Sequence, residues 1–111
     1  MSALFVYVTM PDAATAMHIA REAVHQRVCA CANMLAPVWS CYHWQGKVEE
    51  ADEVACIFKT TSERFPAFEA CIRKLHPYEV PCIVALPVQV GNEDFLQWIH
   101  RETTPDTPGK K

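Results

Sequence analysis

Ser40-Cys41-Tyr42-His43-Trp44-Gln45-Gly46-Lys47-Val48-Glu49-Glu50 is the stretch on which the fold turns. β-rich sequence runs into Gln45-Gly46, a turn candidate, and resumes at Lys47. Working backwards, residues 28–44 read as one long extended arm. Pro37 interrupts it and predicts a bend or bulge, because proline cannot donate to a ladder. Working forwards, a second arm covers roughly residues 47–60. It carries the acidic cluster Glu49, Glu50, Asp52 and Glu53 and ends in Val54-Ala55-Cys56-Ile57-Phe58-Lys59-Thr60. Two arms joined by one tight turn make a long hairpin.

The flanks supply the rest of the pattern. Leu4 to Thr9 is an apolar, β-rich run, strand one. Asp12 is a good helix N-cap. Ala13, Met17, Ala20, Val24 and Val28 then recur at helical spacing and predict a helix over roughly 13–27. Phe68, Ile72 and Leu75 predict a second helix. Pro66 belongs in its first turn, and Pro77 stops it near His76. Ile83 to Val88 is strand four. Asn92 is placed to cap a last helix holding Phe95, Trp98 and Ile99, with Glu93 and Asp94 in its first turn. Residues 103–111 read as a disordered Pro/Thr/Gly/Lys tail, so the domain is expected to span 1–102. The order β-α-β-β-α-β-α is α+β, and its first six elements match the ferredoxin-like split βαβ pattern. Such a sheet leaves open edges, which a neighbouring copy can pair.

With 111 residues the chain is one domain, and 50% hydrophobic content suits a packed core rather than disorder. The net charge of -3 gives no basic footprint, so neither nucleic acid nor an anionic membrane is expected as a partner. The first residues lack a basic region and their apolar run ends at Pro11, which argues against a signal peptide. No apolar run nears the roughly 20 residues that a membrane span needs. The expectation is a cytoplasmic protein. Six cysteines, Cys29, Cys31, Cys41, Cys56, Cys71 and Cys82, are then expected to be free thiols, mostly small buried hydrophobes.

Short motifs line up along the chain: Thr9-Met10-Pro11-Asp12, Ala30-Cys31-Ala32-Asn33, Ser40-Cys41-Tyr42-His43-Trp44-Gln45-Gly46-Lys47, Lys59-Thr60, His76-Pro77-Tyr78-Glu79-Val80-Pro81 and Phe95-Leu96-Gln97-Trp98-Ile99. Together they resemble the CutA divalent-cation-tolerance family over about Leu4 to Arg101. The resemblance implies a ferredoxin-like fold assembled as a homotrimer through its sheets. It implies a distant likeness to PII signalling proteins, and copper or another divalent cation as the ligand. The family has no settled enzymatic activity, so no reaction is implied and the chain is expected not to be an enzyme. Cys31 and Cys71 match family cysteines. Val8 stands where some members carry a cysteine discussed as a copper ligand, and Cys82 stands where many carry glutamate.

The candidate residues follow. Tyr42, Trp44, Glu53, Lys59, His76, Tyr78 and Trp98 come from separate elements and are shared with the family motifs. They are expected to form a ligand pocket between neighbouring chains, with Lys59 meeting an anionic group and the aromatics walling it. Cys31, Cys71 and His76 are the candidate metal ligands. Cys29 and Cys31, two residues apart, are expected to face one side of a strand, a soft pair suited to Cu(I). His18, Glu22 and His25 share a helix side, where a solvated face is the simpler reading. The rivals are a PII-like small-molecule sensor without a metal, a cysteine enzyme using Cys31 or Cys82 with His76 as base, and a plain scaffold.

Overall fold

The structure is a computed structural model that describes residues 2–105. Its elements are β1 (Ala3–Met10), α1 (Ala13–His25), β2 (Cys31–Trp44), β3 (Lys47–Thr61), α2 (Phe65–Leu75), β4 (Ile83–Pro87) and α3 (Glu93–Thr103). The strands form one sheet in the order β2-β3-β1-β4, every neighbouring pair antiparallel. The expected order of elements is therefore present. Most of the tail expected to be disordered lies outside the described residues. Its first residue does not fit that expectation: Thr103 closes α3, is buried, and donates its hydroxyl to Ile99 O at 2.9 Å.

The turn read from Gln45-Gly46 is a two-residue hairpin loop, with Trp44 paired to Lys47. Gln45 and Gly46 both have positive φ, 50° and 81°, the backbone that matches strand twist in the tightest hairpins. The ladder slips between Met34 and Pro37, so the irregularity expected at the proline is present.

β1 pairs with β3 only as far as Met10 opposite Val54. Residues 47–53 of β3 therefore pair with β2 alone, and the hairpin projects beyond the sheet. Nearly every residue from Trp39 to Glu50 is exposed, Trp39 at 64% and Val48 at 63%.

The core lies on one face of the sheet. Val6, Val8 and Met10 alternate inward along β1, opposite Phe58, Cys56 and Val54 of β3. Ile19 of α1 and Phe68 and Ile72 of α2 close over them, and Phe58 meets Phe68 edge to face at 5.1 Å. The other face carries Phe5, Tyr7 and Thr9 with their neighbours Ile57, Val84 and Leu86, and stays open, Leu86 at 64% exposure.

α1 begins as expected, with Asp12 Oδ1 accepting from Thr15 N at 2.7 Å. Its buried stripe differs from the one expected. Ala16, Ile19 and Ala23 face the sheet, while Met17 and Val24 are exposed. The helix offers two adjacent apolar stripes, and it is the one with Ile19 at its centre that packs on the core. α1 also stops at His25, two residues early. Arg27 takes a left-handed φ of 58°, its N–H donates to Val24 O, and Val28 N donates to Ala23 O, a Schellman closure. At α3 the cap is not the expected one. Asn92 makes no side-chain cap bond, and Asp94 Oδ1 accepts from both Asn92 Nδ2 and Phe95 N.

The hairpin loop gives a direct test. Gly46→Val adds no clash, since nothing lies within 4 Å of a built Cβ, but it puts a β-branched residue at positive φ. It should lower stability by about 1–2 kcal/mol in thermal unfolding, while Gly46→Asn should lie close to wild type. Equal effects of the two would show that backbone strain is not what the glycine relieves.

Candidate functional site

Where the hairpin leaves the sheet, its first residues overhang the open face. The segment between α2 and β4 folds up opposite. Between them is a cleft of about 640 Å³. Ser40, Tyr42, His43 and Trp44 of β2 form one wall, Tyr7 and Thr9 of β1 with Glu53 of β3 the floor, and Tyr78, Glu79, Val80 and Cys82 the other wall. The alternation of the strands explains the floor: if Val6 and Val8 enter the core, Tyr7 and Thr9 must face the other way.

A relay of hydrogen bonds fixes the second wall. His76 ends α2, its backbone N donating to Ile72 O at 2.8 Å. Its buried ring lies between two backbone groups: Nδ1 accepts from Tyr78 N at 3.1 Å, and Nε2 donates to Thr9 O at 2.8 Å. An amide N–H can only donate and a carbonyl can only accept, so these partners select the neutral ring with its proton on Nε2. The ring packs on Tyr78 with centroids 4.7 Å apart, and the Tyr78 hydroxyl donates to Glu53 Oε2 at 2.7 Å. β1, the proline-rich loop and β3 are thereby tied together around the cleft. Burial, and then the Glu53 carboxylate that accepts its hydrogen bond, push the Tyr78 phenol well above its ordinary range.

Four of the seven residues expected in the pocket, Tyr42, Trp44, Glu53 and Tyr78, line this cleft. His76 stands behind it as a support. Lys59 lies six residues from Glu53 along β3, roughly 20 Å at strand rise. Its ammonium donates to Asn33 Oδ1 and sits 5.3 Å from the Phe5 ring centroid, so it does not join Glu53. Trp98 stacks on Phe95 within α3, centroids 5.5 Å apart, away from the cleft. Tyr7, Thr9, Ser40 and Glu79 were not anticipated. Strand alternation would have found the first two, whereas the loop geometry that brings in Glu79 leaves no periodic trace.

The candidate metal ligands Cys31, Cys71 and His76 do not assemble within the chain. Among the described residues no group of three His, Cys, Asp or Glu side chains is placed to hold a metal ion, and both ring nitrogens of His76 are already engaged. Cys29 and Cys31 do not share a side. Cys29 precedes β2, in the irregular turn after α1, and is buried in the core. Cys31 is opposite Lys59, while its neighbour Ala32 packs on the core. Burial pushes the Cys29 thiol up to about 12, with Cys31 and Cys71 adding to the effect. His18 and His25 are solvent-exposed on α1, as the solvated-face reading expects. All six cysteines are free thiols.

Cys82 is the thiol that reaches the cleft, its Sγ 4.0 Å from Tyr7 O. Burial first, and the Glu53 carboxylate second, raise its pKa. A nucleophilic cysteine needs the opposite shift. Cys82 should therefore alkylate with iodoacetamide more slowly than free cysteine at about pH 7.5, and Glu53→Gln should speed it. Mass-resolved alkylation rates check this, and a fast, Glu53-independent reaction at Cys82 would contradict it.

Comparison with known proteins now bears on the chain. Residues 4–102 match the model of the CutA1 divalent ion tolerance protein family. Protein CutA of Mus musculus is 43% identical over 97 residues, which are 87% of this chain and 55% of the mouse protein, so the chain spans about half the length of that relative. The divalent-cation tolerance protein CutA of Thermus thermophilus is 41% identical over 98 residues, 88% of this chain and 95% of that protein. The solved structure of the periplasmic divalent cation tolerance protein CutA from Archaeoglobus fulgidus superposes with a TM-score of 0.88 at 36% identity, covering 92% of this chain and 99% of that one. The chain belongs to the CutA1 divalent ion tolerance family.

Proposed function

We propose that this chain works as a ferredoxin-like homotrimer in divalent-cation tolerance, binding a ligand in the cleft and catalysing no reaction. The observation that carries the reading is the projecting hairpin together with the cleft at its root. An isolated two-stranded ribbon is marginal in water. This one carries Trp39 and Val48 exposed on one face and Tyr42 and Trp44 exposed on the other. An arm apolar on both faces is satisfied by more than one neighbouring surface, which a ring of copies supplies more naturally than a two-fold pair. In such a ring the open face of the sheet is covered, and the cleft, open on one side in a single chain, lies at the junction between chains.

The family description is of tolerance to divalent ions and not of an enzyme. The raised thiol of Cys82 and the fully engaged ring of His76 speak against the cysteine–histidine enzyme. Among the described residues no three His, Cys, Asp or Glu side chains of one chain gather around a metal position, which favours a cation site built from more than one copy. A PII-like small-ligand sensor is the second reading, favoured by aromatic walls where a metal centre would gather donors. Six free thiols suit a reducing compartment, which supports a cytoplasmic location.

Growth of source cells in graded copper, zinc and cobalt tests the tolerance role. Removal of the gene should lower tolerance to at least one of these cations. Wild type should restore it, and Trp44→Ala, which strips a cleft wall, should restore it incompletely at equal protein level. Unchanged tolerance after removal would contradict the reading.

A further inference from the structure

Glu53 is only 8% exposed, and its hydrogen bond comes from the Tyr78 hydroxyl. Among the described residues, the ion pairs involve Arg27, Arg73 and Arg101, and none reaches Glu53. A carboxylate withdrawn from water without a cation is costly unless something supplies the opposite charge. The cleft wall does not supply it. Among the described residues no lysine or arginine lines the cleft, where His43 is the basic side chain; Glu79 adds a second carboxylate, and Lys59 is bound elsewhere. Four rings, Tyr7, Tyr42, Trp44 and Tyr78, stand on the cleft beside Thr9, Ser40, His43, Val80 and Cys82. Ring faces are electronegative and attract cations most strongly when water is partly excluded. Carboxylates and ring faces thus act with one sign on whatever enters, and they outnumber the one basic side chain of the described wall, His43.

We propose that the cleft binds a small organic cation, an ammonium group carried on an apolar body. This rests on the reading of the cleft as a ligand site and names the ligand's chemical class. Among the described lining residues an anion meets two carboxylates against the single imidazole of His43. Among the described residues no donor set is gathered for a bare metal ion. An ammonium needs neither: Glu53 supplies the counter-charge, the rings take the remaining N–CH faces, and about 640 Å³ leaves room for the apolar part. The sequence-based expectation of an anionic group held by Lys59 gives way to the opposite charge.

The test uses the full chain in its assembled state, followed by tryptophan fluorescence and isothermal titration. Choline is the cationic probe, 3,3-dimethyl-1-butanol its neutral isostere, and inorganic phosphate the anion. Choline should bind about tenfold more tightly than the neutral isostere, the size expected of a partly desolvated ammonium over aromatic rings. Glu53→Gln keeps an acceptor for Tyr78 while removing the charge, and should bring choline down to the level of the isostere. Glu79→Gln, at an exposed position, should give a smaller loss and serves if Glu53→Gln fails to fold. Equal binding of choline and the isostere, or choline binding unchanged in the folded carboxylate variants, would overturn the proposal. Binding of the isostere or phosphate in preference to choline would refute the cationic class and leave the cleft as a ligand site. If none of the three binds, the ligand-site reading fails with it.

Discussion

β3 outruns β1. Past Val54 it has one hydrogen-bonded neighbour in place of two, and that mismatch of strand lengths governs the rest of the molecule. Within the sheet, alternation divides β3 cleanly between a core face at Cys56 and Phe58 and an open face at Ile57 and Lys59. Beyond the sheet no helix covers either side, so side chains that would be core elsewhere meet solvent. The tight Gln45-Gly46 loop sets the register of the two arms. The exposed apolar side chains of the arm lie beside the cleft.

The same overhang determines the electrostatics. Glu53 sits one residue beyond the last pair of β1 and β3, Met10 opposite Val54. The overhanging arm and the loop after α2 take it out of water. Its partner, Tyr78, is held by a neutral His76 clasped between backbone groups of β1 and the loop. Pro77 and Pro81 flank the segment and limit how far it can relax. The result is a negative, aromatic-walled cleft whose thiol, Cys82, is kept in its protonated form by burial and by the carboxylate nearby.

Much of this was legible in the residues. Pro66, Pro77 and Gly46 mark element boundaries by backbone chemistry alone, and each marked its boundary where expected. Asp12 announced its cap correctly, whereas Asn92 did not, because Asp94 competes for the same N–H groups with a better acceptor. The buried stripe of α1 was misread since two adjacent apolar stripes satisfy one period, and only the sheet decides between them. Shared motifs found Tyr42, Trp44, Glu53 and Tyr78, the residues that meet. They also offered Lys59 and Trp98, which share the motifs but not the place. Six residues along the predicted arm already separate Lys59 from Glu53, a distance that shared motifs do not weigh, whereas spacing cannot show that Cys29 precedes the strand before its period of two applies.

The central claim is that the projecting arm requires neighbouring copies. Sedimentation equilibrium of the purified chain over a dilution series into the micromolar range tests it most directly. A mass of three chains that holds on dilution is expected. A stable, folded monomer at micromolar concentration, with its hairpin intact by circular dichroism, would contradict it.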